Sequence, residues 1–294
     1  MGTHPARLLW QRLEAIHAVT YFAPECAEAS NDLGLKGFWM GYFACRAAPM
    51  GAVAAGVVEA TFANFAPSLV RRALPDAWSL ATPAALVKAR RTAAAAALRR
   101  SAPDLIDAAA DLAIEPLSRI VAAAPTVARP LFAANRDLGL PDDPVEALWQ
   151  LTTCIREQRG DGHVAVLAAS GLAGAEIHLM FSAASGVPAE RLRGARGWSA
   201  EEWLDASARL VRRGVLVAAA PVGTEPALTD AGRSLHAAIE STTDELAWNG
   251  LTAGSIEAGD VVGLAARLAP VAHAIAAAGD LTFPNPIGIP DPRG

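Results

Sequence analysis

Apolar residues return every three or four positions along most of this chain, the spacing that lays one stripe along a helix. In residues 7–22 the set Leu8, Leu9, Leu13, Ile16, Val19 and Tyr21 shares a broad face, and Pro24 ends or kinks that helix. A second helix carries Phe38, Trp39, Tyr42 and Phe43 to Arg46, where Ala47-Ala48-Pro49 breaks it, and a third spans 50–65. Thr82 and Pro83 read as N-cap and first residue of a helix over 83–100. Further helices are expected at 102–113, 115–124 and 127–135. Residues 139–144, Gly-Leu-Pro-Asp-Asp-Pro, are dense in turn formers and read as a linker, with Asp143 and Pro144 opening a helix over 144–159.

Beyond it the order changes. Helices at 163–170 and 174–185 end on Gly171 and Gly186. Ser199, with Glu202 as capping-box partner, opens 200–213, and Gly214 closes it. Short strands at 215–217 and 227–228 flank a turn, and Thr229 caps a helix over 230–247. Helix, helix, recognition helix, wing and long helix is the winged helix-turn-helix order. The stretch Arg212-Arg213-Gly214-Val215-Leu216, followed by Leu228-Thr229-Asp230-Ala231-Gly232-Arg233-Ser234-Leu235, resembles the MarR-type winged helix, in which an LTxxGxxL segment leads from the wing into the next helix. Gly232 then lets that helix sit close to its neighbour. The expected fold is mainly α: an N-terminal helical domain (1–140) packed on a winged helix-turn-helix with a small two-stranded wing (141–250). Residues 251–294 add a helix near 256–278 and a Pro-rich tail that packs back on the body.

The whole chain also resembles an actinobacterial helix-turn-helix family of no established role. The resemblance rests on His17-Ala-Val-Thr-Tyr-Phe-Ala-Pro-Glu25, Gly41-Tyr-Phe-Ala-Cys-Arg-Ala-Ala-Pro49, Asn64-Phe-Ala-Pro67, Arg159-Gly-Asp-Gly-His163 and Phe283-Pro-Asn-Pro286. It implies neither a reaction nor a ligand.

Charge changes the picture most. The net charge of −5 gives no overall attraction to nucleic acid or anionic membrane. Residues 150–250 hold nine arginines against twelve carboxylates, a net of −3. The recognition helix opens with Glu201, Glu202 and Asp205, and the wing carries one charge, Glu225. Phosphate neutralisation supplies most of a DNA binder's affinity, so specific DNA binding is disfavoured. A homodimer that aligns Arg191, Arg193 and Arg196 of two subunits along one backbone is the arrangement that rescues it. Three widely spaced cysteines without a CxxC pair, no export signal and no uninterrupted apolar span make the expectation a cytoplasmic protein with reduced thiols and no membrane segment.

The chemistry-bearing cluster is Arg156-Glu157-Gln158-Arg159-Gly160-Asp161-Gly162-His163. Read as a loop, its two glycines allow close approach to a ligand. Asp161 would orient His163, with Glu157 as a further acid/base group and Arg159 holding an anion. The bland alternative makes Asp161 a cap for a helix starting at His163. His17, Tyr21 and Glu25 recur at helical spacing beside many aromatics, a pattern for a small-molecule site or for a satisfied core histidine and tyrosine. Arg46, in an apolar stretch, needs Glu25, Glu59 or a ligand anion, and Asn64 is an amide beside Phe65. Glu176 with His178 is a poor metal pair, and no metal or cofactor motif appears, so neither is expected. Three readings follow: a small-molecule-binding protein with its pocket between the two domains and DNA binding reduced or lost, a MarR-type ligand-responsive regulator, or a cofactor-independent enzyme using Asp161, His163 and Glu157.

Overall fold

The structure, a computed structural model, describes residues 3–285 and 287–293; Pro286, in the last of the stretches quoted above, lies outside the described residues. Among the described residues the chain forms fifteen α-helices. The first six are α1 (Pro5–Phe22), α2 (Pro24–Asp32), α3 (Gly37–Ala47), α4 (Ala55–Phe62), α5 (Pro67–Ala73) and α6 (Asp76–Leu80). Next come α7 (Pro83–Ser101), α8 (Ile106–Ala123), α9 (Pro130–Asp137) and α10 (Pro144–Ala169). The last are α11 (Ala175–Ser185), α12 (Ala189–Ala195), α13 (Ala200–Arg212), α14 (Asp230–Thr252) and α15 (Ala258–Ala277).

Six of these helices begin on proline, whose missing N–H is no loss in a first turn, and this is why their starts are readable in the sequence. Side-chain caps mark others: Thr82, Asp143 and Thr229 accept from first-turn amides, and Ser199 with Glu202 completes the capping box. Pro24 does end α1, and it also opens α2, a helix the periodicity does not reveal.

Three expectations need correction. The helices expected at 102–113 and 115–124 are one, α8, which runs through Pro116 because Ala109, Ala110, Ala113, Leu117 and Ile120 keep one face buried across it. The helices expected at 144–159 and 163–170 are also one, the 26-residue α10. The Arg-Gly-Asp-Gly-His segment is therefore helix interior, and its glycines do not take positive φ. Lastly, the two-stranded wing does not form: among the described residues Leu216 and Leu228 make a single antiparallel bridge, extended by Val217 N–H to the Ala227 carbonyl at 2.9 Å. A segment with Pro221, Gly223 and Pro226 has too few paired residues for a ladder.

Helix α10 is the axis of the molecule. Its first half, with Leu148, Trp149 and Leu151, lies in a core shared with α1, α7, α8, α14 and α15. Its end, with Val166 and Leu167, lies in a second core built from α11, α13 and the bridge around Trp203 and Leu210. A third core surrounds Phe43, Phe62 and Phe65 in the segment 35–87. Helix α15 is apolar and long enough to cross a membrane by length and composition, but Val261, Leu264, Leu268 and Ile275 are buried in the first core, where α15 lies along α1. Leu281 and Ile289 of the tail enter that core too.

At the foot of α14 a Cβ on Gly232 would stand 2.2 Å from the Val215 carbonyl oxygen, so helix and bridge approach too closely for any side chain. Gly232→Ala is expected to lower stability by about 1–3 kcal/mol through overpacking, read from urea unfolding midpoints. An unchanged midpoint would show that this contact is slack.

Candidate functional site

A cavity of about 370 Å³ lies where α1, α3, α10, α11, α14 and the segment joining α4 to α5 converge. That volume falls in the range of small-molecule sites. Of the residues singled out in the sequence, Arg46, Asn64, Arg159, Asp161 and His163 line it, and Glu157 stands directly behind Arg46. Trp10, Glu14, Tyr42, Arg156 and His178 complete its polar and aromatic wall. Sequence reasoning misses Glu14 and Tyr42, although their spacing carries a signal. Glu14 is a carboxylate on an apolar face four residues after Trp10, and Tyr42 stands four before Arg46.

The wall is held by buried charge. Glu157 takes Arg46 through two bonds of 3.1 and 3.0 Å and Arg156 at 2.7 Å. Arg156 also reaches Glu14 at 3.5 Å, and Glu14 accepts from the Trp10 indole at 3.0 Å. The Arg46 guanidinium lies 4.1 Å from the Phe62 ring centroid, with a further bond to the Tyr42 hydroxyl. Burial alone would push the Glu157 carboxyl up, but the two guanidiniums outweigh it and hold it well below the usual carboxylate range. The partner of Arg46 is thus Glu157; Glu59 pairs with Arg71 instead. At neutral pH Glu157 carries no proton to donate, and two guanidiniums hold its carboxylate as an ion-paired anion.

Asp161 and His163 do not form the pair expected of a loop, because residues two apart on a helix point different ways. Nor does Asp161 cap a helix of its own. It accepts from Phe132 N–H at 2.9 Å, capping α9 from outside, where no side chain of α9 does so. Burial, helped by nearby Glu157, raises its carboxyl to about 7 against the pull of the α9 amides. Gly162 has a packing role: a Cβ there would stand 3.0 Å from Arg129 Nη2.

The His163 tautomer follows from its partner. Thr243 gives its hydroxyl proton to the Ile239 carbonyl, so Nδ1–H of His163 donates to Thr243 at 2.9 Å and Nε2 stays unprotonated. Burial lowers this imidazole to about 4, which keeps it neutral. His17 is satisfied at both nitrogens, Nδ1–H donating to Thr153 and Nε2 accepting from Tyr21. It is a core histidine, lowered far below its ordinary value by burial and the nearby arginines. Tyr21 faces a second cavity. Glu25 leaves the set altogether: the break at Pro24 turns it to Arg100 at the surface, at 2.5 Å. Arg159 is held by Asp244 at 2.9 Å and stacks over Trp10. Glu176 pairs with Arg209, and His178 donates to the Asn64 carbonyl, so these two do not converge on one point.

The segment 63–66 latches the N-terminal half to the end of the molecule that holds α11–α13. Gly174 N–H donates to Ala63, both His178 and Trp198 donate to the Asn64 carbonyl, and Ala66 N–H donates to Arg196. Gly197, at φ +77°, sits so close to Leu69 that a Cβ would come within 2.9 Å. The turn before α13 is therefore clamped on α5.

A helix-turn-helix family model matches residues 6–282. The chain belongs to this helix-turn-helix family. No curated protein and no solved structure matches it. Membership in a helix-turn-helix family suggests a DNA-binding regulator type. Helix α13, the recognition helix expected from the sequence, buries Trp203, Ala206 and Leu210 and exposes Glu201, Glu202, Leu204 and Asp205. Of its cations, Arg209 is paired with Glu176, while Arg212 is exposed. Just beyond, Arg213 donates to the Ser170 and Gly171 carbonyls. Before the helix, Arg193 is paired with Glu190, Arg191 donates to the Pro284 carbonyl, and Arg196 is buried over Phe65. Glu225, the one charge between Val215 and Leu228, stays exposed and accepts from Ala189 N–H at the start of α12, at 3.0 Å.

Two outcomes are expected. Arg46→Met should cost about 3 kcal/mol in urea denaturation, since removing one partner of a buried pair strands the other; a neutral result would mean Arg156 alone satisfies Glu157. The second concerns pH. With a folded value of about 7 against about 4 unfolded, Asp161 binds an extra proton in the folded state across that window, so its contribution falls as pH rises through it. His17, His163 and His178, lowered on folding, act in the opposite sense. Asp161→Asn should therefore gain stability relative to the parent as pH rises from about 4 to about 7, by at most about 1.4 kcal/mol per unit. A difference that does not vary with pH would overturn the assignment.

Proposed function

We propose that this helix-turn-helix protein binds a small molecule in the cavity between its N-terminal helices and the α11–α13 segment, with specific duplex-DNA binding reduced or lost. One observation carries the reading: Asn64, on the latch, leaves its Oδ1 buried without a hydrogen-bond partner at the cavity wall. A buried acceptor left empty is costly, and a ligand donor is the group that would fill it. The neutral Nε2 of His163 offers a second acceptor on the same wall, and Arg46, Arg156 and Arg159, each paired with a carboxylate, line it as well.

The acidic exposed face of α13 supports the loss of DNA binding, because its carboxylates would meet phosphates and base edges in a standard docking. The second reading is a ligand-responsive regulator of MarR type; family membership supports its coarser part, a DNA-binding regulator. A cytoplasmic setting, with Cys26, Cys45 and Cys154 unpaired, belongs to both readings.

Two measurements test the proposal. Asn64→Leu removes the empty acceptor, so the ligand-free variant should be as stable as the parent or about 1 kcal/mol more stable. Thermal unfolding across a small-molecule panel should find compounds that stabilise the parent and not the variant; equal responses from both would reject the site. Titration of the chain's own upstream DNA at about 100 mM salt should give binding no tighter than the non-specific ~10⁻⁶ M. Nanomolar, sequence-dependent binding that salt releases would install the regulator reading instead.

A further inference from the structure

A second cavity, of about 240 Å³, lies in the N-terminal half between α1, α2, α3 and α7. It shares only Tyr42 with the first among their lining residues. Its wall is mostly apolar, with Ala29, Leu33, Phe38 and Gly41 among its members, and one cation, Arg90, lines it.

Arg90 is 6% exposed. Its Nε donates to the Thr20 hydroxyl at 3.1 Å and its Nη1 to the Cys45 carbonyl at 3.4 Å, while Nη2 has no hydrogen-bond partner. The guanidinium stacks 4.9 Å from the Trp149 ring centroid. Among the described residues no carboxylate lies within ion-pair distance of it. Arg46 and Arg156, comparably buried, both close on Glu157. A buried guanidinium left without a counter-charge is strongly disfavoured, so its presence beside a cavity marks a charge to be met from outside.

The other ionisable groups of this wall do not supply that charge. Burial pushes the Cys26 thiol up to about 12 and raises the Cys45 thiol and the Tyr21 hydroxyl, so all three stay neutral near pH 7. The cavity combines one unmatched positive charge with an apolar chamber.

We infer that this cavity binds a small, mostly apolar monocarboxylic acid, whose carboxylate takes Arg90 as its counter-ion. A dianion such as phosphate fits less well, because one guanidinium offsets one charge and the lining holds no second cation. The site is independent of the cavity at Asn64, and either can fail alone.

The test is calorimetric titration of the full chain with benzoate and hexanoate, against benzamide and hexanol as neutral counterparts. A charge-assisted bond predicts that at least one acid binds about ten- to hundredfold more tightly than its counterpart. Arg90→Met should abolish that preference. Because Arg90 also braces Thr20 and Cys45, a second variant guards against misfolding. Ser30→Asp places a carboxylate on the same wall, where Ser30 Oγ lies 3.8 Å from Cys45 Sγ, and should keep the fold while rejecting both acids. Equal affinity for acids and neutral counterparts, no acid binding at about 1 mM, or unchanged acid binding in a folded Arg90→Met or Ser30→Asp would each overturn the inference.

Discussion

The carboxylate of Glu157 is the point on which the rest of the structure turns. It is fully buried in the middle of α10, and it is stable there as an anion only because Arg46 comes from α3 and Arg156 from the preceding position of α10. Arg156 in turn reaches Glu14 on α1. Helices α1 and α10, which share one core, and α3, from another, are thus fixed in one register by charges that cannot be left unpaired. Such a network adds little net stability over apolar packing, but it penalises every arrangement that separates its members. The energetic case for it is specificity of assembly.

From that register the cavity follows. Arg46 and Arg156 are placed on its wall by their grip on Glu157, and α10 carries Arg159, Asp161 and His163 along the same stretch. The opposite wall belongs to α11, which Gly174 and His178 tie to the backbone of 63–66, while Arg196 and Trp198 tie the turn before α13 to the same segment. A molecule that filled the cavity would touch both sides at once. The latch is a short segment with Ala63 at φ +60°, an uncommon conformation for a residue with a Cβ, and one its neighbours must hold in place. Binding beside it would bear directly on the turn that precedes α13.

The segment around α12 and α13 is built for packing. Trp203 and Leu210 anchor α13 inward, Gly197 presses its turn on Leu69, and Glu225 accepts from Ala189 N–H at the start of α12. What remains outward on the first turns of α13 is acidic. That acidic surface underlies the proposal that specific duplex-DNA binding is reduced or lost.

Local rules were enough for the helical class and for the helix starts at Pro83, Pro144, Ala200 and Asp230, though not for α2, α5 or α6. Proline at first turns, Ser199 with Glu202, and Thr229 act within a few residues and need no distant partner. Even the close approach at Gly232 was legible, because only glycine suits a helix pressed on a neighbouring backbone. Long-range contact decided what the local signals left open or misread. Gly160 and Gly162 look like loop residues until Arg129 is seen against Gly162, and then α10 runs straight through them. Glu157 looks like an acid/base group until two arginines close on it, one of them 111 positions away in the chain. Glu25 shares a helical spacing with His17 and Tyr21, yet a single turn at Pro24 sends it to Arg100. The sequence by itself determined which segments are helical and which residues carry charge into apolar surroundings. Only the tertiary structure decided which of those charges neutralise one another and which, like Arg90, are left facing a cavity, because a buried charge takes its meaning from partners that no local pattern names.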